Sequence, residues 1–294
     1  MTLNTSPQHA EQKSPKEEDF HFRILTDIAR NLSGEINFPT NIDLAITLRN
    51  ILKNPEATAD EIAQVVAVEP VIASKILRLA NSHTYNPSGQ TITDLNAAIK
   101  LLGLQTVRTA SLAMTMDQVL KSKKLAYFDK FAKLTWEHSI LSAAIARVLA
   151  RRVPLINPEE AMLAGLVHDI GIYYLLYRAS EFSEYLNDED ALFALVIDWH
   201  ESVGESVLAA LDAPEEIVES VRDHDRPRLA DSEPHTMSDI VYVANLLAGS
   251  NWEWLPHTIS AEQEQAMNKT RERYSQVLAE AKADIRELHA ALSD

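Results

Sequence analysis

The sequence predicts an all-α fold, and three observations lead to that prediction. Only seven glycines occur among the 294 residues. Runs in which apolar and polar residues alternate between turn signals, as half-buried strands require, are almost absent. Apolar residues recur three and four positions apart along most of the chain, which is typical of amphipathic helices. With 46% hydrophobic and 24% charged residues, the chain has the composition of a globular protein that packs such helices around a core.

Boundary signals divide the first part of the chain into short helices. The spacing of apolar residues predicts a helix over Ile42–Leu52. Thr58 and Glu61 have the spacing of a capping box that opens the next helix. Pro70 suits the first position of a third helix, and Gly103 suits the positive φ at the end of a later one.

A charged and weakly periodic stretch, Lys121–Lys130, is the best candidate for an internal boundary. We therefore expect a flexible N-terminus over residues 1–19, an N-terminal helical lobe over 20–125, a second helical lobe over 126–256 and a C-terminal helix over 257–294. The helices expected after the boundary are Phe131–Arg152, one that begins at Asn157-Pro158, Ala191–Trp199, Ser202–Leu211, Pro214–Arg222 and Met237–Ala248.

The C-terminal segment carries an apolar seam with alternating steps of four and three residues. The seam consists of Tyr274, Leu278, Ala281, Ile285, Leu288 and Leu292. Such spacing is typical of a coiled coil, and it predicts a homodimer or a docked partner helix. The same spacing also suits a final helix that lies on the protein's own surface, and the sequence leaves both interpretations open.

Composition excludes several functional classes. The 27 basic and 43 acidic residues give a net charge of −16, which disfavours binding to nucleic acid or to anionic membranes. Because cysteine is absent, thiolate metal sites and a cysteine nucleophile are excluded. The polar residues Met1–Asp19 lack the apolar core of a secretory signal, and no later apolar run has the ~18 residues that cross a bilayer, so we expect a cytoplasmic protein.

Histidines on separate predicted helices accompany a His-Asp pair. His168 and Asp169 follow an apolar helix, and further histidines occur at His138, His200 and His224. Helical bundles build metal sites from imidazoles and carboxylates that converge from several helices. A helix-terminal hydrogen-bonded pair at 168–169, with the other histidines in ordinary core or surface positions, is the alternative. Trp136 and Trp199, next to two of these histidines, are expected to be core anchors.

The order and spacing of these residues resemble HD-superfamily phosphohydrolases. The matching residues are His138, His168-Asp169, the segment from His200 to Gly204, and His224. The first half resembles the HDOD subfamily through Phe38-Pro39, Pro70, the segment from Leu77 to Ser82, Tyr85, Ala97-Ala98-Ile99 and Leu101-Leu102-Gly103. The resemblance implies an N-terminal helical lobe packed on a degenerate HD-type lobe, and a role in bacterial signal transduction. It also implies that catalytic relatives hold one or two metals with the His-Asp pair, whereas HDOD proteins are a non-hydrolysing branch.

Three positions depart from the pattern of the catalytic relatives. Asn245 occupies the place of a late aspartate that closes the metal shell, and a neutral amide is a poorer ligand for a hard cation. Asp239 cannot take over, because six residues along a helix turn it about 240° away from Asn245. Ile172 stands where diphosphohydrolase relatives carry a phosphate-binding lysine, and Asp223 replaces one of two paired histidines.

These features lead to two hypotheses. The first is a non-catalytic regulatory module that binds signalling proteins or a ligand. The second is a phosphohydrolase for a nucleotide or phosphate ester, in which His138, His168, Asp169, His200 and His224 hold a divalent metal, Fe, Mn or Mg. Asn245 and Ile172 favour the first hypothesis.

Overall fold

The computed structural model of the chain describes residues 15–32, 54, 57–67, 70–82, 85–121, 123–211, 213–228, 233–249 and 260–292. Within these residues the regular structure is helical and contains no strand, so the all-α prediction is confirmed. The helices are α1 (Pro15–Leu32), α2 (Ala59–Ala67), α3 (Pro70–Ala80), α4 (Leu95–Leu102), α5 (Leu104–Leu120), a 3₁₀ helix (Leu125–Phe128), α6 (Asp129–Ala150), α7 (Pro158–Val167), α8 (Ile170–Ala179), α9 (Ser183–Leu186), α10 (Glu189–Ala210), α11 (Glu215–Ser220), α12 (Met237–Ala248), α13 (Ala261–Arg273) and α14 (Ser275–Leu292). None of the helices among the described residues combines the length and the apolar character needed to span a membrane.

The helix boundaries follow the capping signals of the sequence. Thr58 and Glu61 form a capping box, in which the Thr58 amide donates to Oε2 of Glu61 at 2.7 Å. Asn157 caps α7 by accepting from the Glu159 amide at 2.9 Å. Gly103 ends α4 with φ of 81°, which a residue with a side chain rarely adopts. The predicted helix over Ile42–Leu52 lies outside the described residues.

The N-terminal helix begins earlier than the sequence indicated. Helix α1 starts at Pro15, inside the segment expected to be flexible. Proline suits the first helical position, because its missing N–H group would have no partner within the helix there. Residues 1–14 lie outside the described part.

Helix α6 is the centre of the bundle. It packs against α7, α12 and α14, while α8 packs against α10. Helix α5 contacts both α6 and α7, and the buried side chains on either side of residue 125 belong to one continuous hydrophobic cluster. The division into an N-terminal and an HD-type lobe therefore stays a prediction. Trp136 is a core anchor as expected, but the same expectation for Trp199 is wrong, because this ring on the outer side of α10 is 40% exposed.

The C-terminal segment folds as two helices that meet at Tyr274. Helix α14 contacts α3, α5 and α6 of its own chain. Tyr274, Val277 and Ala281 are buried there, while Leu278 and Ile285 pack on the core more loosely. The described part of the seam therefore lies on the protein's own surface. The side chains of Leu288 and Leu292 lie outside the described part, and pairing with another chain stays a prediction.

Two glycines allow α8 and α10 to approach until their backbones touch. A Cβ atom on Gly171 would lie 1.9 Å from the carbonyl oxygen of His200 and 2.6 Å from the amide nitrogen of Gly204. No side chain can occupy that space, because the obstructing atoms are backbone. The spacing of these helices therefore depends on glycine at position 171.

We expect Gly171→Ala to lower the free energy of unfolding by roughly 1–3 kcal/mol or more, because one helix backbone must move away from the other. Denaturant unfolding followed by circular dichroism measures the change. Gly204→Ala is the matched control across the same contact. Its Cβ would meet Gly171 N at 3.3 Å, which a small shift relieves, and alanine gains about 0.5–1 kcal/mol in a helix. Equal losses in both variants would contradict the close approach.

Candidate metal centre

The fold brings all five predicted site residues together. His138 comes from α6, His168 ends α7, Asp169 precedes α8, His200 lies on α10 and His224 follows α11. Nε2 of His138 lies 3.2 Å from Nε2 of His168. The Asp169 carboxylate is 3.2 Å from Nε2 of His168 through Oδ2 and 3.2 Å from Nε2 of His224 through Oδ1.

The four imidazole rings share one mode of attachment. In each ring, Nδ1 lies at hydrogen-bond distance from a backbone carbonyl oxygen. The pairs are His138 with Gly249 (2.8 Å), His168 with Gly165 (2.8 Å), His200 with Val196 (2.8 Å) and His224 with Val221 (2.7 Å). A carbonyl oxygen only accepts, so Nδ1 carries the proton and donates it. In the neutral form every Nε2 is then left with a lone pair.

The centre of the cluster consequently contains mainly acceptors, and the hydroxyl of Ser142, 3.4 Å from Nε2 of His138, is the donor that the described residues place at its edge. The inward atoms are the Nε2 lone pairs and the carboxylate oxygens of Asp169, at separations near 3.2 Å. Acceptors held this close repel one another unless positive charge lies between them, either as protons on the rings or as a cation. A histidine whose other nitrogen donates to a backbone carbonyl has the orientation of a metal ligand.

The ligand atoms form two groups that could each hold a metal ion. One group is His138, His168 and Asp169, and the other is Asp169, His200 and His224. Within each group the ligand atoms lie within 4.8 Å of one another. Ligands on opposite sides of a single ion with ~2.1 Å bonds are about 4.2 Å apart, so small movements would close each group on an ion. Asp169 belongs to both groups and could bridge two ions.

One inward atom has no hydrogen-bond partner among the residues that the structure describes. Nε2 of His200 is buried, and the closest acidic oxygen, Oδ2 of Asp225, lies 3.3 Å away at an ion-pair distance without the alignment of a hydrogen bond. A buried and unsatisfied nitrogen is costly, and a cation at the centre would satisfy it. The residues therefore fit a divalent metal.

The charges of the cluster are strongly coupled. Burial alone would lower the pKa of His224, but Asp225, Asp169 and Glu201 outweigh burial and raise this pKa to about 10. Burial would raise the pKa of Asp169, but His168 and His224 hold it well below its usual range. Burial lowers the pKa of His138, which lies at the edge of the cluster. In the metal-free chain, a proton on His224 is thus one of the charges that balance the carboxylates.

Asn245 lies at the edge of the cluster, as its position on α12 predicts. Its Nδ2 donates to the carbonyl oxygen of His224 at 3.1 Å and to Oδ1 of Asp225 at 2.7 Å. Asp239 forms the capping box of α12 with Thr236 and pairs with Arg228 at 2.5 Å, so it serves the helix start rather than the site.

The other two departures place no polar group at the cluster. Ile172 is buried in the apolar core with 1% exposure and offers nothing to a phosphate. Asp223 has a φ of 56° and pairs with Arg226 at 3.1 Å, with its side chain 45% exposed. This aspartate therefore does not replace the histidine that relatives carry.

Asp225 is the site residue that the sequence did not identify. Its carboxylate faces His200 at 3.3 Å and His224 at 3.9 Å. The sequence Asp223-His224-Asp225 contained the signal, since it offers two carboxylates beside one histidine. In the turn at Asp223, where φ is 56°, Asp225 faces the histidines while Asp223 pairs with Arg226 at the surface.

Comparisons with known proteins identify the family and the fold of the chain. The family model described as HDOD domain matches residues 38–227. No curated protein matches the chain. A candidate metal-dependent phosphohydrolase from Shewanella amazonensis has a similar fold, with 21% identity and a TM-score of 0.66 over 94% of this chain and 100% of that one. An HDOD domain protein of unknown function from Geobacter sulfurreducens has 21% identity and a TM-score of 0.58 over 93% of this chain and 98% of that one. A candidate signal transduction protein from Marinobacter aquaeolei has 17% identity and a TM-score of 0.57 over 95% of this chain and 67% of that one.

We expect metal binding to release protons, because an ion at Nε2 must displace the proton that His224 carries up to a pH of about 10. Affinity should therefore rise as the pH rises toward that value. Calorimetric titration of Mn²⁺ near neutral pH, in two buffers with different ionisation enthalpies, counts the protons, and we expect about one from this ring. His235→Ala, which removes an exposed histidine outside the cluster, should leave the count unchanged. A binding heat that is the same in both buffers would contradict the protonated His224.

Proposed function

The chain belongs to the HDOD domain family, and from that premise we propose that it is a non-catalytic regulatory module of bacterial signal transduction, which acts by binding a protein or a ligand. In this proposal the metal centre stabilises or reports the state of the module. It does not turn over a substrate.

The main support for the proposal is that the candidate ligands are buried. The side chains of His168 and His224 have 0% exposure, His200 has 3% and Asp169 has 6%. Metal-assisted hydrolysis requires a phosphate oxygen and a water at the ion itself. Ligands that are covered on nearly all sides hold an ion well but leave little room for a phosphate ester.

The surroundings of the cluster add a second argument. Ile172, directly after the His-Asp-Ile-Gly run, is apolar and buried, so this position cannot bind a phosphate. Among the structures with the same fold, the Marinobacter protein carries the name of a signal transduction protein. That name is in line with the proposed regulatory role.

A metal-dependent phosphohydrolase remains the second candidate function, and the position of Asp169 favours it. This carboxylate contacts ligands of both groups, an arrangement that suits two ions on one phosphate ester. A bound divalent ion would supply Lewis acidity there, while the chain's own histidines would orient it. The Shewanella protein bears the name of such an enzyme.

The partners and the metal are part of the proposal. We propose signalling proteins as partners in the cytoplasm, because the charge of −16 repels nucleic acid and anionic lipid surfaces. Mixed imidazole and carboxylate ligands suit Fe or Mn better than Mg, which prefers oxygen ligands and bound water. Both candidate functions use the same five proposed ligands, which are His138, His168, Asp169, His200 and His224.

We expect the wild-type chain, loaded with Fe²⁺, Mn²⁺ or Mg²⁺, to hydrolyse neither phosphomonoesters, phosphodiesters nor nucleoside triphosphates above the level of the His168→Ala variant. The enclosed ligands and Ile172 are the physical reasons. Release of phosphate or nucleoside measures the rate, and elemental analysis of the same samples measures metal content. Wild-type turnover that His168→Ala abolishes would replace the regulatory proposal by the enzymatic one.

We also propose that α14 contributes to self-association. Ile285 is only partly buried on its own chain, so part of the seam stays available to a second copy. Ile285→Asp combined with Leu288→Asp should then reduce the mass measured by light scattering from dimer to monomer. Gln276→Ala, on the exposed side of the same helix, should leave the mass unchanged. A monomeric mass for both wild type and variant would show that the seam serves its own chain alone.

A further inference from the structure

The orientation of Asn245 excludes it as a ligand in this arrangement. Its side-chain amide faces two acceptors at once, the carbonyl oxygen of His224 at 3.1 Å and Oδ1 of Asp225 at 2.7 Å. Both contacts require hydrogen-bond donors, so the NH₂ end must point toward them. An amide binds a cation through its oxygen, and here that oxygen points away from these two acceptors.

The carboxylate that Asn245 holds is itself directed toward the cluster. Oδ2 of Asp225 lies 3.3 Å from Nε2 of His200, the buried nitrogen without a hydrogen-bond partner. Oδ1 lies 3.9 Å from Nε2 of His224. The backbone amide of Asp225 donates to Oε1 of Glu201 on α10 at 3.0 Å, so the residue is fixed at both its backbone and its side chain.

We infer that Asp225 is an additional carboxylate ligand of the metal centre, on the side of His200 and His224, and that Asn245 is a positioning residue that holds it there. The inference rests on the metal centre of the proposed function and adds a ligand to the five named above. The late aspartate of catalytic relatives is then not simply lost. Its negative charge is supplied from the turn after α11.

Asparagine suits position 245 because its NH₂ group can donate a hydrogen bond to the carboxylate of Asp225. An aspartate there would place a second carboxylate about 2.7 Å from Oδ1 of Asp225, with no proton to donate. The amide instead neutralises part of the charge on Asp225 and leaves Oδ2 facing His200. Asn245 and the inward carboxylate of Asp225 are thus parts of a single arrangement.

The test measures the affinity of the metal-free full-length chain for Mn²⁺, from the electron paramagnetic resonance signal of the free ion. We expect Asp225→Asn to weaken binding by at least about tenfold, since even the loss of a residue that only supports a ligand costs about 10- to 100-fold. Asp223→Asn is the matched control. It removes a carboxylate two residues earlier that points to solvent and pairs with Arg226, and it should bind Mn²⁺ as wild type does.

A double-mutant cycle distinguishes positioning from general structural support. Asn245→Ala should weaken Mn²⁺ binding about 10- to 100-fold in the wild-type background. It should add nothing in the Asp225→Asn background, because its effect passes through Asp225. Thermal unfolding of each variant in chelator confirms that it is folded. If Asp225→Asn does not fold, Asp225→Glu takes its place in the cycle, since the longer side chain moves the carboxylate.

Wild-type affinity in Asp225→Asn, or equal losses from Asn245→Ala in both backgrounds, would overturn the inference. Either result leaves the proposed function standing as long as His168→Ala still removes the metal and no hydrolysis is seen. Conversely, hydrolysis by wild type would overturn the regulatory proposal while the Mn²⁺ affinities still decide the role of Asp225.

Discussion

The backbone contact between Gly171 and His200 is the constraint on which the rest of the structure depends. It lets α8 and α10 pack with their main chains touching, which no residue with a Cβ would allow. The same contact brings a histidine of α10 next to the His168-Asp169 pair at the end of α7. Core packing and the candidate metal centre therefore both depend on this close approach, and a change in helix spacing would alter both.

The electrostatics of the cluster follow from how its histidines are held. Because each Nδ1 donates outward to a backbone carbonyl, the inner surface contains lone pairs and carboxylates. Such a centre is unfavourable unless it contains protons or a cation, and the raised pKa of His224 shows how the metal-free chain compensates. Because the backbone of α7, α10 and the turn after α11 orients these rings, the centre of the cluster requires positive charge. The positive charge is required whether or not any reaction takes place.

Burial of the ligands has two opposite effects on what the site can do. Burial strengthens the attraction between an ion and its ligands because it excludes water, but it also restricts the access of a substrate to the ion. Here the imidazoles of His168, His200 and His224 are almost fully covered, while the residue after the His-Asp-Ile-Gly run is an isoleucine. Ligands covered in this way suit a site that holds an ion for stability or for sensing, as the proposed function requires.

The sequence by itself determined the helical class, most helix starts and the five clustered residues, because capping, periodicity and motif spacing are local properties. The Thr58 and Asn157 caps are examples, since each depends on residues within one turn. What only the tertiary structure decided are contacts between distant segments. Asn245 was recognised as a departure, but its hydrogen bond to Asp225 joins α12 to the turn after α11. Asp225 rather than Asp223 faces the cluster in a turn where Asp223 has a positive φ, and the exposure of Trp199 depends on which side of α10 is covered. Local patterns cannot fix these outcomes, because they are set by how helices pack in three dimensions.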